Sequence, residues 1–324
     1  MMSLLAAPGV IRDLKDLHAG VAVAICDLSP ERAAFVRRLN QDGIPTVAWL
    51  MLPKERGFYF NAENAPQATA RFAAFDAWSR KQDLRWDGIG LDIEPNFNKL
   101  ATLKSHPWQL LTTLFGRAID GRRMIEARHA YSTLIGMIRL RGYFVQTYQM
   151  PFLPAERKAH SSLPDRLLGT VDVRGDQEVL MLYTSFARPV GAAMIWTLGP
   201  DAQAISIGST DGGPDANPTP LDWSEFSRDL IVAGHFSHLI GVYNLEGCVR
   251  QGFLSRLKNL DWSQSLTIPA DALRRAARLQ LLLGLVMWTT SHLSYVFGVL
   301  LVAVAAIAWR WRVRKMKRNR SNER

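Results

Sequence analysis

Two carboxylates stand two positions apart at the end of an apolar stretch of the chain. The stretch is "WDGIGLDIEP", residues 86–95, and the two acids are Asp92 and Glu94. In a β-strand both side chains would lie on one face, because side chains alternate along a strand. Two acids so close repel each other when ionised, which raises the pKa of one of them. An acid that keeps its proton near neutral pH is what cleavage of a glycosidic bond requires of its proton donor.

The elements that must position these acids repeat along the chain. Short apolar strands alternate with amphipathic stretches up to about residue 265, which is typical of a parallel sheet with crossover helices. Residues 29–43, "SPERAAFVRRLNQDG", have a Ser cap, a Pro at the first helical position and a final Gly, and they predict such a helix. Seven strands are predicted, at residues 20–28, 44–52, 88–94, 143–152, 179–186, 204–210 and 238–247.

Polar residues in these strands gather at the carboxyl ends, where they include Asp27, Asp92, Glu94, Gln149, Thr184, Ser209, Thr210, Asn244 and Glu246. In a closed parallel barrel, polar residues are expected where the strands reach the mouth. We therefore predict an α/β fold of the (β/α)8 TIM-barrel type with a site at the mouth. An open doubly wound sheet is the alternative, although "CDLSPER" after the first strand is not a Gly-rich phosphate turn. With seven strands predicted, we expect the barrel to lack its first strand, whose place would be before residue 9.

The motif around the two acids resembles a known family. Residues 87–94, "DGIGLDIE", resemble the D-G-x-D-x-D-x-E signature of family-18 glycoside hydrolases, the chitinases and endo-N-acetylglucosaminidases, with Gly90 in place of the middle Asp. Residues 181–185, "MLYTS", resemble that family's M-x-Y-D, with Thr184 in place of the acid. Residues 239–247, "LIGVYNLEG", resemble its last strand without the usual Trp. The resemblance extends over residues 20–250.

The resemblance implies a role for three residues. Glu94 would be the general acid that protonates the leaving oxygen. Asp92 would orient the acetamido group of the substrate, whose carbonyl attacks the anomeric carbon in place of an enzyme nucleophile. Tyr183 would hydrogen-bond that carbonyl. Because Gly90 and Thr184 replace two acids, a catalytically inactive glycan-binding or scaffold protein with the same barrel is the alternative.

Six further residues are predicted to bind substrate at the mouth: Asp27, Trp49, Tyr148, Gln149, Tyr243 and Glu246. Each has a structural alternative. Trp49 and Tyr148 would stack on sugar rings or else pack in the core. Asp27, which is followed by Ser29 and Pro30, would otherwise help to start the next helix. A third hypothesis is a glycosidase with two enzyme carboxylates, which pairs Glu94 with Glu246 or Asp27.

The carboxyl-terminal part of the chain predicts a membrane anchor. Residues 279–309 contain no Asp, Glu, Lys or Arg, and a helix of about 20 apolar residues crosses a bilayer. We favour one span over a tight hairpin. The following residues 310–324 hold eight Arg and Lys against one Glu and account for most of the net charge of +10. Such a tail is expected in the cytoplasm.

The side of the membrane on which the barrel lies stays open at this stage. The basic tail predicts that the barrel lies outside the cytoplasm, but residues 1–17, "MMSLLAAPGVIRDLKDL", do not resemble a signal peptide. A cytoplasmic barrel on a tail anchor is one alternative. A barrel outside the cytoplasm would require a leader upstream of the printed sequence. The predicted organisation is a barrel at 1–265, a linker at 266–278, a transmembrane segment at 279–309 and a basic tail at 310–324.

Several functional classes lack their signatures in this sequence. There is no phosphate-binding loop, nucleophile elbow or zinc motif, and His235 and His238 have no neighbouring acid or Cys ligands. We therefore expect no cofactor and no metal. The basic residues lie mostly in the tail rather than on a domain face, so a nucleic-acid partner is not expected. The sequence predicts a membrane-anchored glycoside hydrolase that acts on glycans containing amino sugars.

Overall fold

The structure is a computed structural model, and it describes residues 2–96, 107–211 and 219–292. Its centre is one sheet of seven parallel strands whose spatial order is the order of the chain. The strands are β1 (Val21–Ile25), β2 (Thr46–Leu50), β3 (Gly88–Asp92), β4 (Val145–Gln149), β5 (Gln177–Met181), β6 (Ala204–Gly208) and β7 (Ile240–Tyr243).

The sheet is strongly curled. Trp49 on β2 and Tyr243 on β7 are separated by five strand steps, and each step spans roughly 4.8 Å, so a flat sheet would hold them about 24 Å apart. Their ring centroids are 6.2 Å apart. The two strands therefore face each other across the inside of the sheet, which gives a TIM-barrel-like fold. No hydrogen-bonded pairing of β7 with β1 is found in the described part of the chain.

Helices connect the strands and cover the outer face of the sheet. They are α1 (Met2–Ala6), α2 (Val10–Asp16), α3 (Pro30–Gln41), α4 (Ala65–Lys81), α5 (Pro107–Ile119), α6 (Gly121–Leu140), α7 (Leu153–Lys158), α8 (Leu163–Leu168), α9 (Gly191–Leu198), α10 (Trp223–Gly234), α11 (Leu245–Arg250), α12 (Phe253–Leu257) and α13 (Ala270–Ser291). Short 3-10 turns occur at Lys54–Arg56, Thr184–Phe186 and Gly199–Asp201.

Local sequence signals account for the first crossover helix, α3. Ser29 is its N-cap and accepts a hydrogen bond from the N–H of Arg32 at 3.2 Å, while Pro30 opens the first turn. The chain leaves the helix through Gly43, whose φ of 71° favours glycine. These are the residues from which the sequence predicted this helix, and the prediction is confirmed.

One continuous core joins the sheet to its helices. It includes Ile25, Leu50 and Leu91 from the strands and Phe75 and Leu134 from α4 and α6. The two ends of this unit are also fastened together. Lys258, after α12, forms salt bridges with Asp13 at 2.7 Å and Asp16 at 3.3 Å on α2.

All seven predicted strands are present, and most are shorter than predicted. The sequential strand order excludes the doubly wound alternative, because the strand order of a doubly wound sheet reverses at a switch point. The largest difference is at β5. That strand begins two residues earlier than predicted, and Thr184–Phe186 is a 3-10 turn rather than strand. The described residues contain seven strands and no eighth.

The membrane prediction falls largely outside the described residues. Within residues 2–96, 107–211 and 219–292, no helix is long and apolar enough to cross a membrane. Helix α13 extends from the predicted linker into the predicted span as one helix, and it ends at Ser291. Residues 293–309 of the predicted span and the basic tail lie outside the described residues.

Candidate functional site

The two acids lie at the carboxyl end of β3, at the mouth of the curled sheet. Asp92 is the last residue of the strand and is directly opposite Tyr148 of β4. Glu94 follows just beyond the strand, where its N–H donates to the carbonyl of Phe60 at 2.9 Å. Ile93 also forms an isolated parallel bridge with Phe60. The loop after β2 therefore holds the backbone that carries Glu94.

Strand register places four of the predicted residues on one face. Trp49 is opposite Gly90, and Asp92 is opposite Tyr148, and paired residues of parallel strands share a face. Asp92 is two residues from Gly90 and therefore lies on the same side as Trp49 and Tyr148. Because Trp49 approaches Tyr243 of β7 across the sheet, this is the inner face.

Asp92 is held in a defined orientation. Its side chain is buried, and Oδ2 accepts a hydrogen bond from the indole N–H of Trp49 at 3.1 Å. The other oxygen, Oδ1, is buried and accepts no hydrogen bond from the described N–H and O–H groups. A buried acceptor without a donor is costly. A protonated carboxyl at Glu94 would supply the donor that Oδ1 lacks.

The pKa values of both acids are raised in the folded chain. Burial raises the pKa of Asp92 to about 7, against the lowering effect of hydrogen bonds with Glu94 and Trp49. Burial, the charge of Asp92 and a hydrogen bond with Asp92 together raise the pKa of Glu94 well above its ordinary value. Raised pKa values favour a protonated carboxyl group in this pair near neutral pH, as expected of two close carboxyl groups. Glu94 as a whole residue is half-buried.

Aromatic side chains surround the acid pair. The ring of Trp49 lies 6.2 Å from those of both Tyr148 and Tyr243, and Tyr183 lies 5.6 Å from Tyr243. Burial raises the pKa of Tyr183, and the charge of Asp92 raises it further, against the lowering effect of a hydrogen bond with Ser206 on β6. Burial and the charge of Glu94 raise the pKa of Tyr243 to about 12. These tyrosines are therefore neutral hydrogen-bonding groups at neutral pH.

Tyr59 belongs to the same cluster and was missed by the sequence analysis. Burial raises the pKa of its hydroxyl, and the charges of Glu94 and Asp92 raise it further. The available signal was the aromatic run "FYF" at residues 58–60, soon after the predicted second strand. A run after a barrel strand lies in a loop at the mouth.

Gly90 does not leave an open space beside the acids. A Cβ atom built on Gly90 would lie 2.8 Å from Cε2 of Tyr148 and 3.2 Å from its hydroxyl oxygen. The ring of Tyr148 therefore occupies the volume that an acidic side chain at position 90 would need. The glycine in the motif is required by the tyrosine on the neighbouring strand.

Thr184 is turned away from the acid pair. It is buried, and its hydroxyl donates a hydrogen bond to Oδ2 of Asp229 on α10. Asp229 is also buried and is paired with Arg228 at 2.8 Å. Thr184 therefore connects the loop after β5 to the helix layer, and its neighbour Tyr183 contacts the site instead.

Three predicted binding residues are placed elsewhere or at the edge of the site. Gln149 lies on the face of β4 opposite to Tyr148, and its amide donates to the carbonyl of Val173 at 2.9 Å. Asp27 accepts from Arg32 at 2.7 Å, which keeps its pKa well below the usual range and fastens the start of α3. Glu246 is exposed on α11, and its charge contributes to the raised pKa of Tyr243.

Two other observations bear on the location of a site. Within the described residues, no group of three or more His, Cys, Asp or Glu side chains is arranged to hold a metal ion. A cavity of about 350 Å³ lies between α6 and residues 172–174, on the outer wall of the barrel, and none of the aromatic or acidic residues of the mouth line it. The paired acids, rather than this cavity, are the candidate reactive centre.

Comparisons with known proteins find only remote structural similarity. No family model matches the chain, and no curated protein matches it. The chain is similar in structure to the glycoside hydrolase domain of PgaB (BpsB) from Bordetella bronchiseptica, at 12% identity and a TM-score of 0.45, over 79% of this chain and 92% of that one. It is also similar to L-ribulose 3-epimerase, at 13% identity and a TM-score of 0.35, over 90% and 93% of the two chains. Neither similarity assigns a function to this chain.

Proposed function

We propose that the protein is a glycoside hydrolase that acts on glycans containing amino sugars. One observation carries the proposal: two neighbouring carboxyl groups, Asp92 and Glu94, lie at the open end of a curled parallel sheet beside a cluster of aromatic side chains. Proton donation to a glycosidic oxygen needs a carboxylic acid that stays protonated near neutral pH. Aromatic rings are the side chains on which the apolar faces of sugars pack.

In this proposal Glu94 is the general acid. Its raised pKa keeps it protonated, and its partial exposure lets it reach a substrate oxygen. Asp92 is deeper and is fixed by Trp49, so it is suited to orient and polarise a neighbouring group of the substrate. That group would be an acetamido carbonyl that attacks the anomeric carbon, with the hydroxyl of Tyr183 as a further donor to it. That attack joins the carbonyl oxygen to the anomeric carbon in a cyclic intermediate as the leaving group departs. After Glu94 has given its proton to the leaving oxygen, it can activate the water that opens this intermediate.

We also propose that residues 279–309 anchor the barrel in a membrane, with residues 310–324 in the cytoplasm. The support is the uncharged length of this segment and the eight basic residues that follow it. Flotation of the full chain with lipid vesicles tests the anchor. A chain that stays at the bottom of the gradient would contradict it.

The test of the hydrolase compares wild type with Glu94→Gln on chitin-type and peptidoglycan-type oligosaccharides. Glutamine keeps the shape of the side chain but cannot donate a carboxyl proton, so turnover should fall by roughly 10²–10⁴-fold. Glu55→Gln is the matched control, since Glu55 is an exposed acid in the loop after β2. Equal turnover by wild type and Glu94→Gln would refute the assignment.

A catalytically inactive glycan-binding protein is the second candidate. Two observations favour it: Tyr148 fills the place of the motif's middle acid, and Thr184 is directed into the helix layer. In that case wild type would bind an oligosaccharide without cleaving it. Tyr243→Ala would then weaken binding, while Glu94→Gln would leave the products of a long incubation unchanged.

A further inference from the structure

Helix α5 carries an apolar stripe that faces away from the protein. Trp108, Phe115 and Ile119 are 81%, 70% and 69% exposed. They are separated by seven and four residues, which places them on one side of an α-helix. On the opposite side of the helix Leu110 and Leu114 are half-buried and Arg117 is buried. The outward apolar side of this helix is therefore the one that described residues leave uncovered.

The stripe is held rigidly near the mouth of the barrel. Arg117, on the inner side of α5, is buried and forms a salt bridge with Glu63 at 2.6 Å. It also donates to the carbonyl of Leu167 on α8 at 3.0 Å. Glu63 lies in the loop that also carries Tyr59, so α5 is fastened to the rim of the candidate site.

A second exposed apolar face lies on α13, a helix that packs against α8 as α5 does. Helix α8 packs against α5, and both α7 and α8 pack against α13. Met287 of α13 is buried with Ala155 of α7 and with Ala159, which follows that helix. The large apolar residues of α13 that are more than half exposed are Leu279, Leu281, Leu282, Leu285 and Val286. Contiguous apolar surface of this kind indicates an interaction site rather than ordinary surface.

The chemistry of both faces and of the rest of the chain favours lipid as the partner. The α5 stripe combines a tryptophan with a phenylalanine and an isoleucine, and isoleucine has no flat face on which a sugar can stack. Tryptophan is enriched at the boundary between lipid and water. Helix α13 leads into residues 293–309, which are uncharged, and then into a tail whose eight basic residues suit anionic headgroups.

We infer that the outer face of α5, formed by Trp108, Phe115 and Ile119, inserts into the surface of a lipid bilayer beside α13. This inference rests on the membrane placement proposed above. Two separate apolar contacts would fix the orientation of the barrel on the membrane, whereas a single anchor would leave it free to tilt. The rim of the candidate site would then lie next to the lipid surface.

The test uses the full chain reconstituted in vesicles of phosphatidylcholine and phosphatidylglycerol. A photo-crosslinking amino acid replaces Phe115 in one variant and Leu239 in a control variant. Leu239 is also an exposed apolar residue, but it precedes β7 at the opposite end of the sheet from the acids. Ile119 is the second labelling position if the Phe115 variant melts below wild type. Mass spectrometry then identifies what each position has captured.

We expect lipid adducts at position 115 or 119 at a yield several-fold above that at position 239. Equal yields at 115 and 239 would overturn the inference, as would adducts with residues 293–309 or with added chitin oligosaccharide. Flotation of the same samples separates this inference from the anchor on which it rests. A chain that floats but gives no lipid adduct on α5 leaves the anchor standing and removes the docking face.

Discussion

The contact between Gly90 and Tyr148 leads to a quantitative prediction about the motif. Replacing Gly90 with Ala places a Cβ 2.8 Å from Cε2 and 3.4 Å from Cζ of the Tyr148 ring. The first distance is shorter than van der Waals contact, so the ring must move within a packed cluster that includes Trp49. Overpacking of this kind costs about 1–3 kcal/mol.

The effect of Gly90→Ala on stability should change from destabilising to stabilising when the ring of Tyr148 is removed. In a Tyr148→Leu background the colliding Cε2 and hydroxyl atoms are absent. Gly90 has no positive φ, so alanine there is free of backbone strain, and Gly→Ala within a strand is favourable by about 0.5–1 kcal/mol. The two substitutions should therefore show a coupling energy of roughly 1.5–4 kcal/mol.

The assay is urea denaturation of the four chains of this double-mutant cycle in the same detergent. Gly136→Ala on α6 is the matched control, because a Cβ there meets nothing within 4 Å and should stabilise the helix by about 1 kcal/mol. If Gly90→Ala changes the free energy of unfolding equally in both backgrounds, Tyr148 does not fill the space and the reasoning is refuted. Gly90→Asp, which restores the motif, should be at least as destabilising as Gly90→Ala while Tyr148 is present.

Two further predictions concern other buried groups. Trp49→Phe removes the indole N–H whose hydrogen bond lowers the pKa of Asp92, so the pKa of Asp92 should rise above about 7. Carboxyl ¹³C chemical shifts measure this pKa. An unchanged titration of Asp92 would contradict the hydrogen bond. Burial raises the pKa of Glu156 to about 9 from an ordinary value of 4.5. Between these pH values the native state therefore keeps a proton on Glu156 that the unfolded state has lost. Stability should then fall with rising pH across that window, by up to about 1.4 kcal/mol per pH unit, and Glu156→Gln should flatten the dependence of the melting temperature on pH.

The acid pair and its elements were predictable because their signals are local. The alternation of Asp92 and Glu94 along a strand and the cap at Ser29 depend only on neighbouring residues. The strand positions follow from short apolar runs for the same reason. The bounds were less accurate at β5, where polar Gln177 and Glu178 belong to the strand. They pair with neighbours on adjacent strands, and an apolar run does not reveal that pairing.

The sequence by itself determined that an acid pair ends a buried strand in a repeating β/α chain, since periodicity and residue type decide this. The tertiary structure decided which residues surround the pair. Gln149 is adjacent to Tyr148 in the chain, yet it faces the helices, and Thr184 is adjacent to Tyr183, yet it bonds Asp229. Trp49 donates to Asp92 and its ring meets that of Tyr243 from a distant part of the chain. Only the curl of the sheet brings such residues together, and only the ring of Tyr148 explains why position 90 is a glycine.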